Sequence, residues 1–336
     1  MVTFAAVGVD HGHIFAHVDG LLAAGGTFAG YCPQTTVPDL VETMQRKYPD
    51  VPQLARDAIF DDPGIEVICT AAIPRDRAGI AIRAMRAGKD TMVDKPGITT
   101  AAQLDDVRRA VADTGRIFSI CFSERLCVPS AVEAGRLVRD GAIGRVVQTL
   151  GMGPHRMGNG TRPDWFYRKD AFGGILIDIG SHQIDQFLFY TGSTSGELVA
   201  SSIGNFVNHA TPEFEDFGEV MLRSDKGAGY IRVDWYTPDG LGTWGDGRLT
   251  ILGTEGYIEL RKYIDLAGRT GKDHLFLVNG KGVRHIDCSD KPLEYFDQFS
   301  ADVRDRTETA MGQEHVFEVC RLSLEAQARA AVIASA

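Results

Sequence analysis

The chain has 336 residues, a formal net charge of -10 and 44% hydrophobic residues, enough for two domains with cores of their own. No basic patch interleaved with aromatics appears, so nucleic acid is not an expected partner, and no apolar run reaches the length of a membrane span. The opening "MVTFAAVGVD" lacks a basic leader region and enters a strand pattern at once, so a cytoplasmic protein is expected. The cysteines at 32, 69, 121, 127, 288 and 320 show no CxxC spacing and are expected as free thiols.

The first third alternates strand and helix patterns. "TFAAVGV" is a short buried strand. In "DHGHIFAHVDGLLAAGG", Ile14, Val18, Leu21 and Leu22 recur at helical spacing and Gly25-Gly26 end the pattern. "TFAGYC" is a second strand, and a modest helix follows over 39–47. "EVICTA" is a third strand. "PRDRAGIAIRAMRAG" starts with a proline and stops at Gly88, as a helix does. "DTMVD" ends a fourth strand at Asp94, "TTAAQLDDVRRAVADTG" is a threonine-capped helix, and "RIFSICF" is a fifth strand. Buried strands alternating with helices imply a mostly parallel sheet covered on both faces, closing near residue 122. Ligands of such sheets bind at the carboxyl ends of the strands.

The first strand-to-helix turn is "AVGVDHGHIF". A dinucleotide fingerprint needs glycine at 8, 10 and 13; here only Gly8 is present, Asp10 and His13 replace the others, and Gly12 is out of phase. The helix-start N–H groups survive these changes. An Asp at 10 repels phosphate unless it points away or caps the helix, and His11 or His13 can offset its charge. The plainer reading is an Asp cap on an ordinary helix. The second strand ends without an acid, among Tyr31, Gln34, Thr35 and Thr36. Those groups serve NAD or NADP, with a slight lean to NAD.

Beyond residue 122 the pattern changes. "ERLCVPSAVEAGRLVRDGAIG" is helical. "RVVQTLGMG" is a strand entering "PHRMGNGTRPDWFYRKDAF", whose His155, Arg156, Asn159, Arg162 and Trp165 make it a candidate pocket wall or a plain surface loop. "GGILIDIGSHQID" places Asp178 and His182 four residues apart, on one face of a helix expected over 175–190. Read alone, it is an amphipathic helix with a paired Asp and a packed His. Strand-like runs then dominate, among them the hairpin pattern "TILGTEGYIEL", so a large, open, mostly antiparallel sheet is expected. Asp10, His11 and His13 lie together, as do Asp178 and His182, but neither set has an obvious third ligand, so no metal is expected.

"DKP" at 94–96, then "GGILIDIGSHQID", then the large sheet, with "RDGAIGRV" and "TILGTEGYIEL" as connectors, resembles the glucose–fructose oxidoreductase/inositol dehydrogenase (Gfo/Idh/MocA-like) family along essentially the whole chain. Asp94 stands where that family usually has Glu, and Phe172 where the first of three glycines is common. The resemblance implies an N-terminal Rossmann-type domain over 1–122 and a substrate-binding and oligomerisation domain over 123–336. It implies NAD or NADP held by Gly8, Asp10, His11, Gly12, His13, Ile14, Thr70, Lys95 and Pro96. It implies a sugar, polyol or related hydroxylated substrate near His155, Arg156, Arg162, Trp165, Asp178 and His182, and a homo-oligomer formed through the second sheet.

Lys95, Asp178 and His182 are the expected catalytic residues. Oxidising an alcohol needs a base, and an imidazole with a pKa of about 6.5 suits that work near neutral pH. Lys95 would stabilise charge on the reacting oxygen, and Asp178 would bind a neighbouring hydroxyl. Two alternatives share the fold: a glycosidase using NAD in a transient oxidation, and a ligand-sensing protein without turnover.

Overall fold

The computed structural model describes residues 1–158 and 162–333; Asn159, singled out above, lies outside them. Contacts divide the chain into two compact units. One takes Met1–Cys121, Pro163–Gly173 and Glu294–Phe317, the other Phe122–Arg162, Gly174–Leu293 and Glu318–Ala336. The first break falls beside the expected boundary at 122, but the stretch after it is not one continuous domain, because two later segments return to the first unit.

The first unit alternates β1 (Thr3–Val9), α1 (His13–Ala23), β2 (Thr27–Cys32), α2 (Pro38–Lys47), α3 (Arg56–Asp61), β3 (Val67–Ala71), α4 (Pro74–Arg86), β4 (Asp90–Asp94), α5 (Ala101–Thr114) and β5 (Phe118–Cys121). The sheet order is β2-β1-β3-β4-β5, with every pairing parallel. β3, β4 and β5 are buried at every position, which is why none of them alternates apolar with polar residues. Thr100 caps α5 by accepting the Gln103 N–H, and Gly115 ends it in the left-handed conformation. α3 was not expected. It is six residues long, too short to show a period, yet it places Ile59 and Phe60 in the core with Ala5, Val7 and Ile68. Strand order reverses between β1 and β3, so their carboxyl ends form the binding crevice of this sheet.

Side-chain bonds explain why later segments return. The Gln313 amide accepts the Phe118 N–H at 3.0 Å and donates to the Phe118 carbonyl at 3.1 Å, standing in for a strand beside β5. Arg306 pairs with buried Asp90 at 2.7 Å, and Arg75 pairs with Asp170 at 3.0 Å.

α1 buries His17 with Ile14, Val18 and Leu21. Burial lowers its pKa from 6.5 to about 4; Asp94 opposes this, while His13 and Arg77 add to it. The unfolded chain therefore binds a proton between pH 6.5 and about 4 that the folded chain refuses, and stability falls as pH drops through that window. The loss amounts to about 3 kcal/mol by pH 4. Urea unfolding at pH 7 and pH 4.5 should show a shallower pH dependence for His17→Leu than for the unaltered protein. Equal slopes would refute the assignment.

The second unit opens with α6 (Ser123–Leu126), α7 (Pro129–Arg139) and β6 (Val146–Pro154). The chain passes through a 3-10 turn at Asp164–Tyr167 and α8 (Lys169–Phe172), both of the first unit, into α9 (Ile175–Asp178) and α10 (Gly180–Thr191). Then come β7 (Glu197–Gly204), β8 (Phe217–Arg223), β9 (Ala228–Asp234), β10 (Arg248–Gly253), β11 (Gly256–Arg261), β12 (His274–Asn279) and β13 (Gly282–Asp287). α11 (Tyr295–Asp305), α12 (Gln313–Arg329) and β14 (Ala331–Val332) close the chain.

The nine-stranded sheet runs β13-β12-β11-β10-β6-β9-β8-β7-β14. Only β6·β9 and β14·β7 are parallel. The expected hairpin is β10·β11, pairing Leu249 with Leu260 and Ile251 with Ile258. Alternate residues of β10, β11 and β12 bury Leu249, Ile251, Ile258, Leu260, Leu275 and Leu277 against Ala131, Ala134 and Leu137 of α7. Leu252 and Tyr257, at the intervening positions, are exposed, as are Leu150 of β6 and Met221 of β8. No helix among the described residues is long and apolar enough to cross a membrane.

Candidate functional site

The helix expected over 175–190 is two helices. The Gly173-Gly174 step has φ of +93° and +109°, and a Cβ on Gly174 would lie 2.3 Å from Gln327. Glu215 accepts the Ile175 N–H at 2.8 Å and Gln327 accepts the Leu176 N–H at 3.1 Å, so two donors at the start of α9 are satisfied by side chains. The break comes at Ile179. The His182 N–H bonds to the Ile179 carbonyl at 3.1 Å, one residue short of the α-helical partner. Asp178 therefore ends α9 while His182 sits in the first turn of α10, and both are buried.

His182 meets the Phe122 ring edge-to-face, with centroids 6.2 Å apart. Near it lies Glu124 of α6, which is 2% exposed. One Glu124 oxygen accepts from Gln183 Nε2 and from Lys262 Nζ, each at 2.8 Å. Lys262, the residue after β11, is 0% exposed and donates also to Gln186 at 2.9 Å. Burial pushes the Glu124 pKa up, but Lys262, His182 and His155 pull it down to about 2. Arg125, beside it, forms a bidentate pair with Asp185 of α10 at 2.7 and 2.8 Å. α6 and α10 are thus joined by one buried ion pair, Arg125–Asp185, and by the Glu124–Gln183 hydrogen bond.

The remaining expected substrate residues are divided. The His155 ring lies 5.2 Å from Trp235 and 4.5 Å from Trp244, and its Nδ1 bonds the Gly153 carbonyl at 3.0 Å. Arg162 donates to the Met157 and Arg156 carbonyls and lies over Trp235 at 5.0 Å. Arg156 donates to the Pro238 and Leu241 carbonyls and lines a cavity of about 640 Å³ with Asn208, Trp235 and Tyr236. These residues belong to the second unit with His182. Trp165 belongs to the first, buried, with its indole N–H lacking a hydrogen-bond partner among the described residues.

In the first unit, Gly8 has φ of +80°, and a Cβ there would lie 2.5 Å from that of Ala72. Asp10 does not cap α1, whose N-cap is Gly12. Its carboxylate accepts from the Thr35 hydroxyl at 3.0 Å, the Thr36 N–H at 2.8 Å, the Thr36 hydroxyl at 3.2 Å and the Ile73 N–H at 3.2 Å. The charge expected to repel phosphate is thus answered by four internal donors. The turn's own N–H groups are less available than expected. Those of Asp10 and His11 both donate to the Ala71 carbonyl at 3.0 Å, and that of His13 reaches His11 Nδ1 at 3.4 Å. Thr70 and Ile14 are buried; the Thr70 hydroxyl accepts the Ala72 N–H, so both shape the turns from beneath.

His13 bonds Asp94 at 2.9 Å, His11 lies 3.5 Å from it, and Arg77 pairs with it at 3.1 Å. Burial raises the Asp94 pKa, but Arg77, His13 and His11 bring it well below the usual carboxylate range. Burial first, then His13, Lys95 and Arg77, hold His11 well below the usual imidazole value against the pull of Asp94. Asp94 is the third group that the sequence did not supply: ligand atoms of His11, His13 and Asp94 lie within 4.8 Å of one another. A cation there would share its carboxylate with the Arg77 guanidinium, whose charge opposes it. Lys95 follows, buried at the end of β4, before a cis peptide to Pro96; Arg77 also donates to its carbonyl.

A cavity of about 610 Å³ opens at these strand ends, lined by Gly8, Asp10, Gln34, Thr36, Arg56 and Arg75 among others. A glycine that no side chain can replace, beside a cavity carrying two guanidinium groups, fits a nucleotide.

A parallel sheet of this order, with a glycine turn at its switch point, defines the class of dinucleotide-binding folds. Comparison with known proteins carries this further. Residues 35–122 match the model of an oxidoreductase family with an NAD-binding Rossmann fold, and residues 131–259 match the GFO/IDH/MocA C-terminal domain. A solved structure assigned as an oxidoreductase from Erwinia carotovora atroseptica SCRI1043 is 48% identical, with a TM-score of 0.95, covering 99% of this chain and 100% of that one. The D-xylose dehydrogenase of Paenarthrobacter nicotinovorans is 29% identical over 38% of this chain and 34% of its own length. The NAD(+) scyllo-inositol 2-dehydrogenase of Bacillus subtilis (strain 168) is 26% identical over 67% of this chain and 61% of its own. The chain belongs to the Gfo/Idh/MocA oxidoreductase family.

Proposed function

We propose that this protein is an NAD(P)-dependent dehydrogenase or reductase acting on a sugar, polyol or related hydroxylated compound. The observation that carries the reading is the buried His182 imidazole in the first turn of α10, within electrostatic reach of the buried Glu124 that pairs with Lys262. A nicotinamide nucleotide, when bound, supplies the hydride acceptor or donor that no side chain can. His182 takes the hydroxyl proton, and Glu124 stabilises the imidazolium that results. Lys95 donates a hydrogen bond to the reacting oxygen, and Asp178 holds a neighbouring hydroxyl. His155, Arg156, Arg162 and Trp165 offer the polar and aromatic surface such a substrate needs. Gly8, His11–Ile14 and Lys95–Pro96 receive the nucleotide, with Asp10 and Thr70 shaping the turns. The xylose and inositol relatives support the substrate class. The exposed Leu150, Met221, Leu252 and Tyr257 offer a face for a second copy of the chain.

Calorimetric titration with NAD, NADH, NADP and NADPH tests the reading. Binding of at least one nucleotide pair is expected. A folded protein that binds none of the four is not an oxidoreductase of this kind.

A further inference from the structure

We infer that the preferred cofactor carries a 2′-phosphate, NADP(H), and that Arg56 is the residue that receives it. The inference rests on the oxidoreductase reading and replaces the slight lean to NAD drawn from the sequence.

In sheets of this order the adenosine ribose lies at the carboxyl end of β2, where an acid selects a free 2′-hydroxyl and an arginine accommodates a 2′-phosphate. β2 ends at Cys32, and the turn that follows, Pro33 to Thr36, contains no acid. Arg56 is 24 positions further along the chain, but the backbone brings it back. The Tyr31 N–H donates to the Pro52 carbonyl at 3.1 Å, and the Leu54 N–H donates to the Tyr31 carbonyl at 2.9 Å. This short parallel pairing delivers the start of α3, and so Arg56, to the end of β2. The charge of Arg56 bears on the Cys32 thiol, as that placement requires.

Arg56 lines the same cavity as Gly8, Gln34 and Thr36. Its Nε is buried and has no hydrogen-bond partner among the described residues. The guanidinium lies over the Phe60 ring, 5.7 Å from its centroid. Neighbouring arginines are committed: Arg75 to Asp170 at 3.0 Å, and Arg83 to Asp57 at 2.5 Å. No carboxylate among the described residues pairs with Arg56.

Three acids line the cavity too. Asp10 accepts the four donors described above, Asp106 pairs with Arg109, and Asp76 is half-exposed, 3.9 Å from Arg75. Asp76 belongs to α4 and Asp106 to α5, so neither stands in the turn after β2 where an acid selects the ribose hydroxyl. A planar guanidinium that lines the cavity and pairs with no carboxylate among the described residues is matched to a phosphate rather than to a hydroxyl.

Titration calorimetry of the full chain with NADPH and NADH, on the unaltered protein, Arg56→Met and Gln34→Asp, tests the inference. NADPH should bind at least about 10-fold tighter than NADH, the worth of one charged hydrogen-bond pair. Arg56→Met should weaken NADPH by about 10- to 100-fold and leave NADH within about threefold. Gln34→Asp, which adds an acid at the end of β2 without touching Arg56, should move the preference toward NADH. Equal affinity of the unaltered protein for both nucleotides overturns the inference and leaves the oxidoreductase reading standing. So does equal weakening of both by Arg56→Met. Failure of the unaltered protein to bind either overturns both.

Discussion

His182→Ala should lower turnover by about 10²- to 10⁴-fold, the scale of a lost general base, while nucleotide affinity stays unchanged. In the proposed role the imidazole is positioned by its surroundings rather than by its own helix position. It sits in the first turn of α10, where the bond to Ile179 tightens the backbone, and its ring is held against Phe122. The ionised Glu124 lies close enough for the two charges to act on each other. Alanine removes the proton acceptor but none of the groups assigned to the nucleotide. Steady-state kinetics with the preferred alcohol, together with nucleotide titration, separate the two effects. A near-normal rate in His182→Ala moves the base role to Lys95.

Lys262→Met should cost about 3–5 kcal/mol of stability, the usual result of removing one partner of a buried pair. Lys262 is fully buried, and the Glu124 oxygen it neutralises accepts one further hydrogen bond among the described residues, from Gln183. Pairing this change with Glu124→Leu gives a cycle in which the double variant is far less destabilised than the sum of the singles. Urea unfolding at neutral pH measures all four proteins. Additive losses would show that the pair contributes nothing beyond its separate contacts.

Much of the scaffold was legible because its signals are local. The proline opening α4, the threonine cap of α5 and the Leu249–Leu260 hairpin each declare themselves within a dozen residues. The Lys95, Asp178 and His182 positions came from a motif order, and the structure places all three as buried groups at element ends. What escaped was non-local. Asp94 joins His11 and His13 across about 80 residues, and Glu124 meets Lys262 across 138. No periodicity reports such pairings. The break at Ile179 is a matter of one hydrogen bond, which side-chain spacing does not report. α3 was missed because six residues make less than two turns. Arg56 was missed with it, since its meaning depends on the pairing of Tyr31 with the 52–54 stretch.

The Asp10 carboxylate has an engineering consequence. It bonds at once to the loop after β2, through Thr35 and Thr36, and to the turn after β3, through Ile73. These two loops are therefore not independent modules. Grafting residues 34–36 from a relative whose first turn carries glycine at this place would set a loop shaped for one anchor onto a frame built around another. A chimera that keeps Asp10 with its own threonines, or exchanges all three segments together, respects the coupling that a loop-by-loop swap would break.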